Sequence, residues 1–316
     1  MRILFVKTSS LGDVVHNCPA VSEVARRVPG ASIDWMIEEP FAEIAALHAS
    51  VSRVIPVAIQ RWRGALASAA TWSEFGRLRR ALPRERYDCV IDSQGLVKSA
   101  LLCALASGPK HGLDRASARE PFAARFYGER HAVPQALHAV ERNRLLAAAA
   151  LGYAAQGACD YGLRAIGEAP IEIRSPLALL LTMTSRGDKL WPEEHWRSLA
   201  AALGERGLQC VFPWGSEDER RRCARIAAGI RGALVPRQMT LAELARLMRH
   251  ARIAVGVDTG LAHLATALGV PALGIYCGSD PALTGLYGSE RARNLGEPGK
   301  APTAKEVLEA LELLLR

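Results

Sequence analysis

At 316 residues the chain is about twice the usual ~150-residue domain, which favours two domains over one enlarged core. Apolar residues make up 49% of it, charged residues 23% and aromatics 6%, a composition that excludes a disordered chain and leaves aliphatic burial as the source of stability. Forty Lys and Arg against 32 Asp and Glu give +8, and residues 51–145 alone hold 16 basic and 8 acidic side chains, so an anionic partner is expected there.

The first residues, Arg2-Ile-Leu-Phe-Val-Lys-Thr-Ser-Ser-Leu-Gly-Asp13, read as a buried strand running into a loop of small residues, with a helix from about 14 to 28. Further strands are expected at 32–37, 54–57 and 89–93, and helices at 74–82, 96–106 and 138–151. Residues 152–176, rich in Gly, Ala, Pro and scattered charge, show neither period and read as an inter-domain connection. A second series follows: strand 177–183, helix 194–206, strand 209–214, helices 218–230 and 241–250, strand 253–257, helix 261–268, strand 272–276 and a last helix at 304–315. Strands alternating with helices imply parallel sheets. The expected architecture is α/β, with two Rossmann-like domains facing each other across a cleft, one over residues 1–160 and one over 177–316. The last helix is allowed to pack back on the N-terminal domain.

Seven cysteines at scattered positions, without C-x-x-C or a His at ligand spacing, argue against disulfides and structural zinc. The apolar run at residues 3–6 is too short for a secretory signal. The longest stretch free of charged residues, 259–279, is broken by Gly260, Gly269, Pro271, Gly274 and Gly278, so no bilayer span is expected and a cytoplasmic protein is the default.

In parallel sheets, ligands bind outside the carboxyl ends of strands, where amides at a helix start attract anions. Two segments fit: Thr8-Ser-Ser-Leu-Gly-Asp13 and Asp258-Thr-Gly-Leu-Ala-His263. The chain has no G-x-G-x-x-G after its first strand, no G-x-x-x-x-G-K-[ST] and no D-x-D, which argues against a dinucleotide dehydrogenase, a P-loop ATPase and a metal held by closely spaced carboxylates. Each candidate has a structural alternative. Asp13 and Asp258-Thr259 make good helix caps, and His263 fits a packed side chain. Lys189 fits a solvated loop, Glu219 favours a helix dipole without further use, and Arg61-Trp62-Arg63 fits a surface turn.

Together the segments V-K-T-S-S-L-G-D near the start, S-Q-G-L-V-K-S at 93–99, T-S-R-G-D-K-L-W-P-E-E-H-W at 184–196, P-W-G-S at 213–216 and V-D-T-G-L-A-H at 257–263 resemble the ADP-heptose:lipopolysaccharide heptosyltransferases of glycosyltransferase family 9. The resemblance runs in order across nearly the whole chain. It departs at Thr182, where relatives often carry His, and at Cys277-Gly278, which replaces a more usual Gly-Pro. It implies a GT-B fold and inverting, metal-free transfer of heptose from ADP-heptose to the Kdo of Kdo-lipid A, with no cofactor. Asp13 would be the general base. Lys189, Ser185, Thr259 and Gly260 would hold the ADP diphosphate, Glu219 the adenosine, and Asp258 and His263 would face the heptose. Arg61, Arg63, Lys98, Arg119 and His138 fall in the family's acceptor region. A peripheral contact with the anionic cytoplasmic face of the bacterial inner membrane would account for the basic stretch. The alternatives are a heptosyltransferase of the second type, a nucleotide-sugar epimerase of the same fold, and a basic nucleic-acid-binding module; sparse aromatics disfavour the last.

Overall fold

Four consecutive apolar side chains, Ile3 to Val6, have no exposed surface, as a central strand covered on both faces by helices requires. They belong to a computed structural model of the chain that describes residues 1–65, 68–82 and 86–315. The described residues form two units, Met1–Leu163 and Arg164–Arg316.

The first unit runs β1 (Arg2–Val6), α1 (Leu11–Arg27), β2 (Ser32–Glu38), α2 (Ala42–Ala46), β3 (Val51–Val57), α3 (Ile59–Gly64), α4 (Ala69–Ala81), β4 (Cys89–Asp92), α5 (Val97–Leu105), β5 (Lys110–Leu113), β6 (Glu129–His131) and α6 (Ala139–Leu151). Its six strands are all parallel, in the order β3-β2-β1-β4-β5-β6. Leu4, Val6, Met36, Ile55, Val57 and Val90 pack on one face against Leu78, Leu82, Leu102 and Cys103. Helices α1 and α6 pack together, and between them the fully buried carboxylate of Glu23 accepts from Arg144 Nε at 2.8 Å and from the Gln156 amide. Arg144 also pairs with Glu141 at 2.8 Å, so it is removal of Arg144 that would leave the buried Glu23 carboxylate without a counter-charge, at a cost of about 3–5 kcal/mol. Helix α6 ends on Gly152, whose φ of 73° is left-handed and suits a residue without Cβ.

The second unit repeats the plan: β7 (Leu177–Leu181), α7 (Glu193–Glu205), β8 (Gln209–Val211), α8 (Glu217–Ala227), β9 (Ala233–Leu234), α9 (Leu241–Arg249), β10 (Ala251–Val257), α10 (Gly260–Ala267), β11 (Ala272–Ile275), α11 (Pro281–Thr284), β12 (Ala292–Leu295) and α12 (Ala304–Leu315). Its parallel order is β12-β11-β10-β7-β8-β9. Trp191 meets Trp196 of α7 edge to face at 5.0 Å, both fully buried. Helix α12 buries Val307 and Leu311 in the core of the second unit.

Both units have the same strand order by sheet position. In each, the chain starts mid-sheet, steps outward to one side, then returns and steps outward to the other. The reversal falls between β1 and β4 in the first unit and between β7 and β10 in the second. At such a switch point the loops leaving adjacent strands diverge in opposite directions, opening a crevice at their carboxyl ends.

Candidate active site

Around the first switch point, the loop after β1 is fixed by the loop after β4. Asp92, buried at the end of β4, accepts from Tyr127 Oη at 2.7 Å and from the Gln94 amide at 2.9 Å. Gln94 Oε1 in turn accepts the amides of Thr8 at 3.1 Å and Ser9 at 3.3 Å. Burial raises the Asp92 carboxyl, and these donors pull it back toward the ionised form. The neighbouring Gly112 has no room for a Cβ, which would overlap the Tyr127 ring.

Asp13 follows on α1. The sequence placed it before the helix, as an N-cap; the structure starts the helix at Leu11 with Ser10 as N-cap, so Asp13 is the third helical residue and reaches back to accept the Ser10 amide at 3.0 Å. The same oxygen, Oδ2, lies 3.3 Å from Arg119 Nη1, and its side chain keeps 23% of its surface exposed. Oδ2 thus spends its capacity within the protein while Oδ1 has no hydrogen-bond partner among the described residues. Lys98 Nζ donates to Ser9 Oγ at 3.2 Å, at the start of α5.

Two basic residues missed in the sequence complete this group. Lys7, buried at the end of β1, donates to the Ser93 carbonyl at 2.7 Å and contacts Asn143 Oδ1 at 3.5 Å. Burial pushes its ammonium down to about 8, against an upward pull from Asp13 and a further push from Arg119. Arg142 on α6 donates to the Ser117 carbonyl at 2.6 Å, and its buried Nε has no partner among the described residues. Burial and the nearby Arg119 lower its pKa. Two mutually repelling guanidiniums beside one carboxylate suit an added anion. The signal for Lys7 was its place at the carboxyl end of the first strand; nothing in R-N-R marked Arg142.

Because the Lys7 pKa is lowered on folding, the unfolded chain binds more protons between about pH 8 and 10.5, and stability rises across that window. Lys7→Met, which keeps the length without the charge, should therefore lose stability relative to wild type as pH rises from 8 to 10.5. Paired urea titrations at both ends of the window measure this, and a constant difference would show that Lys7 is not neutralised there.

The other acceptor-region candidates divide. Arg61 is held between Glu39, at 2.9 Å, and Glu74, which also accepts from Trp62 Nε1 at 2.7 Å, so its guanidinium is already engaged. Arg63 is exposed with no ion pair among the described residues. His138 is buried as the N-cap of α6, its Nδ1 accepting the Val140 amide at 3.2 Å, and its ring meets His16 edge-on at 5.4 Å.

At the second switch point the loops after β7 and β10 converge on Asp258. Its Oδ2 takes Lys189 Nζ at 2.6 Å and Ser279 Oγ at 2.5 Å, and His263 Nε2 lies 3.4 Å from Oδ1. Thr184 Oγ1 donates to the Asp258 carbonyl at 2.9 Å, tying the two loops together. Burial would raise the Asp258 carboxyl, but the hydrogen bonds from His263, Lys189 and Ser279 outweigh it and hold the group far below the ordinary carboxylate range. Asp258 is therefore an ionised hub and no helix cap. Thr259 occupies the N-cap of α10 without a side-chain cap bond, and Gly260 opens the helix, so the first amides there are bare of side chains. Ser279 sits after β11 and went unmarked in the sequence, although its place beyond a strand's carboxyl end was the signal. Ser185 is exposed in the loop after β7. Glu219, in the first turn of α8, accepts the Gly215 amide through Oε2 at 2.7 Å, which folds the P-W-G-S turn over the helix start.

Among the described residues no group of three or more His, Cys, Asp and Glu is placed to hold a metal ion, and no helix is long and apolar enough to cross a membrane.

The profile of Glycosyltransferase family 9 (heptosyltransferase) matches residues 75–312. Lipopolysaccharide heptosyltransferase 1 of Pseudomonas aeruginosa is 46% identical over 308 residues, covering 97% of this chain and 87% of that protein. Its counterpart from Escherichia coli K12 is 46% identical over 295 residues, 92% of each. The structure of E. coli heptosyltransferase WaaC with ADP superposes with a TM-score of 0.92 at 43% identity, covering 99% of this chain and 100% of that one. E. coli heptosyltransferase II, at 23% identity and a TM-score of 0.79, shares the fold. The two parallel sheets are those of a GT-B enzyme, and the chain belongs to glycosyltransferase family 9, the heptosyltransferases.

Proposed function

We propose that the protein transfers L-glycero-D-manno-heptose, with inversion, from ADP-heptose to the Kdo of Kdo-lipid A. The observation that carries this reading is the end-to-end match, above 40% identity, to a heptosyltransferase solved with ADP and with ADP-2-deoxy-2-fluoro heptose. The site geometry agrees with it. In an inverting transfer, a carboxylate takes the proton of the attacking hydroxyl while the diphosphate departs from the opposite face. Asp13 is that base: its Oδ2 is tied to Ser10 and Arg119, which orients the carboxylate and leaves Oδ1 for the acceptor hydroxyl. Arg119 and Arg142 meet the Kdo carboxylate, and Lys98 and Arg63 the acceptor's further anionic groups.

On the donor side, Lys189 and the first amides of α10 neutralise the charge that builds on the diphosphate as the glycosidic bond breaks. Asp258 holds Lys189 and His263 in place, Ser185 and Thr259 border the phosphates, and Glu219 takes an adenosine hydroxyl with its remaining oxygen. The enzyme works at the cytoplasmic face of the inner membrane, against which its basic first unit is attracted at roughly 1 kcal/mol per nearby Lys or Arg.

Incubation with ADP-heptose and Kdo-lipid A, followed by mass analysis, should show one added heptose and released ADP. No mass gain, with heptose accepted instead by an already heptosylated core, would assign the second type of heptosyltransferase. Conversion of the free nucleotide-sugar would assign an epimerase.

Arg63→Ala should raise the acceptor KM about tenfold with donor KM unchanged, the scale of one charge-assisted hydrogen bond. Arg61→Ala should have a smaller direct effect, because Glu39 and Glu74 already occupy its donors. Two-substrate kinetics at low and high salt tests both; a change in donor KM alone would remove these residues from the acceptor side.

A further inference from the structure

Between β5 and β6 the chain makes a detour through residues 114–128 that includes a 3-10 segment, Pro121–Phe126. It walls an open cavity of about 760 Å³ lined by Asp114, Arg115, Pro121, Phe122, Arg125 and Arg130, among others. None of the residues assigned above to donor or acceptor lines it.

All three arginines are exposed, and none is ion-paired among the described residues. Arg125 lies over the Phe122 ring at 5.1 Å, and Arg130 Nε donates to the Tyr127 carbonyl at 3.2 Å. Asp114 is the one carboxylate in the lining. Asp114 is held by Ser117, whose hydroxyl and amide lower its carboxyl, with the amide at 2.8 Å. Glu120, outside the lining, accepts the Val97 amide at 2.6 Å. The lining therefore sets three guanidiniums against one carboxylate and keeps a net positive charge.

Beside them stands an apolar side chain that the core does not take. Phe122 is 53% exposed although the next two residues are buried, and it meets Phe126 edge-on at 6.0 Å. Leu101 is 52% exposed on α5, the helix packed against this same segment. Guanidiniums alone would suit any phosphate. An aromatic side chain held in water next to them suits a phosphate that comes with an apolar boundary, as at the surface of a bilayer.

We propose that this face docks the protein on an anionic lipid bilayer, with Arg115, Arg125 and Arg130 on headgroup phosphates and Phe122 in the boundary between headgroups and acyl chains. The inference rests on the membrane-surface part of the proposed function, but its test uses neither sugar donor nor acceptor, so it stands or falls apart from the transfer reaction.

The full chain is sedimented with vesicles of phosphatidylcholine alone or mixed with an equal part of phosphatidylglycerol. Wild type should partition onto the mixed vesicles and leave the neutral ones. The triple variant Arg115→Ala, Arg125→Ala, Arg130→Ala should partition about a hundredfold less, because ~1 kcal/mol per basic residue is about fivefold each. Phe122→Ser should lose partition at unchanged net charge. Arg206→Ala with Arg246→Ala, which removes two charges from the second unit, should match wild type. Unchanged circular dichroism and thermal midpoints establish that the variants are folded. Wild-type partition by the triple variant, or an equal loss in the Arg206 and Arg246 control, would overturn the proposal. So would displacement from vesicles by millimolar inorganic phosphate with Phe122→Ser behaving as wild type, which would make the cavity a site for a soluble anion.

Discussion

Asp13→Asn should fold and bind ADP-heptose as wild type does, yet turn over at least about a hundredfold more slowly, the scale on which loss of a positioned general base is felt. The amide oxygen of Asn can still accept the Ser10 amide, so the helix start survives. What disappears is the negative charge, and with it both the proposed proton acceptor and the partner of Arg119. Loss of the ion pair contributes little by itself, since Arg119 is half-exposed and water solvates it. Rapid-mix measurement of one turnover, alongside calorimetric titration of ADP, separates chemistry from binding. Turnover within a few-fold of wild type would reduce Asp13 to a residue that organises the first turn of α1.

Lys189→Ala should damage binding and chemistry together. In wild type its ammonium is shared with Asp258; without it the carboxylate keeps His263 and Ser279 but faces the incoming diphosphate with its own negative charge. We expect ADP affinity to fall about tenfold or more and turnover by a further two orders of magnitude, as for removal of a donor aimed at developing charge in a dry site. Lys189→Arg should recover part of the affinity and less of the rate, because the guanidinium fork is wider than an ammonium seated at 2.6 Å from one oxygen. The decisive readings are the ADP dissociation constant and the turnover number of both variants. If Lys189→Ala leaves the two unchanged, the lysine only neutralises Asp258.

The long apolar strands and amphipathic helices were legible because their period repeats over many residues. The last helix, 304–315, has the same limits in sequence and structure, and β1, β2, β10 and β11 lie within a few residues of their expected positions. Strands β5 (K-H-G-L), β6 (E-R-H), β9 (A-L) and β12 (A-R-N-L) were not read, since two to four residues without alternation carry no period, and their pairing comes from the neighbouring strand. At the site, the two loops with small residues and an acid were visible as strand ends. The role of Asp258 as hub was not, because Lys189 and Ser279 reach it from distant positions in sequence. Ser10-x-x-Asp13 held the pattern of a reciprocal helix cap, but Leu11 and Gly12 obscured the start of the helix. The engagement of Arg61 by Glu39 and Glu74 is likewise a tertiary fact, invisible to charge counting.

The strand order sets a timetable for synthesis. β1 leaves the ribosome well before its second partner, β4, so Ile3 waits for Cys89 before both its edges are paired. At about 5–20 residues per second, the intervening 86 residues take roughly 4–17 s to appear. During that interval a strand with no polar face has one edge covered by β2 and the other open, a template for pairing with another chain. The second unit repeats the exposure, since β7 waits for β10 from Leu177 until Ala251 and its neighbours arrive. The arrangement that opens a crevice at mid-sheet in the finished enzyme therefore leaves the nascent chain most vulnerable to aggregation at those same two strands.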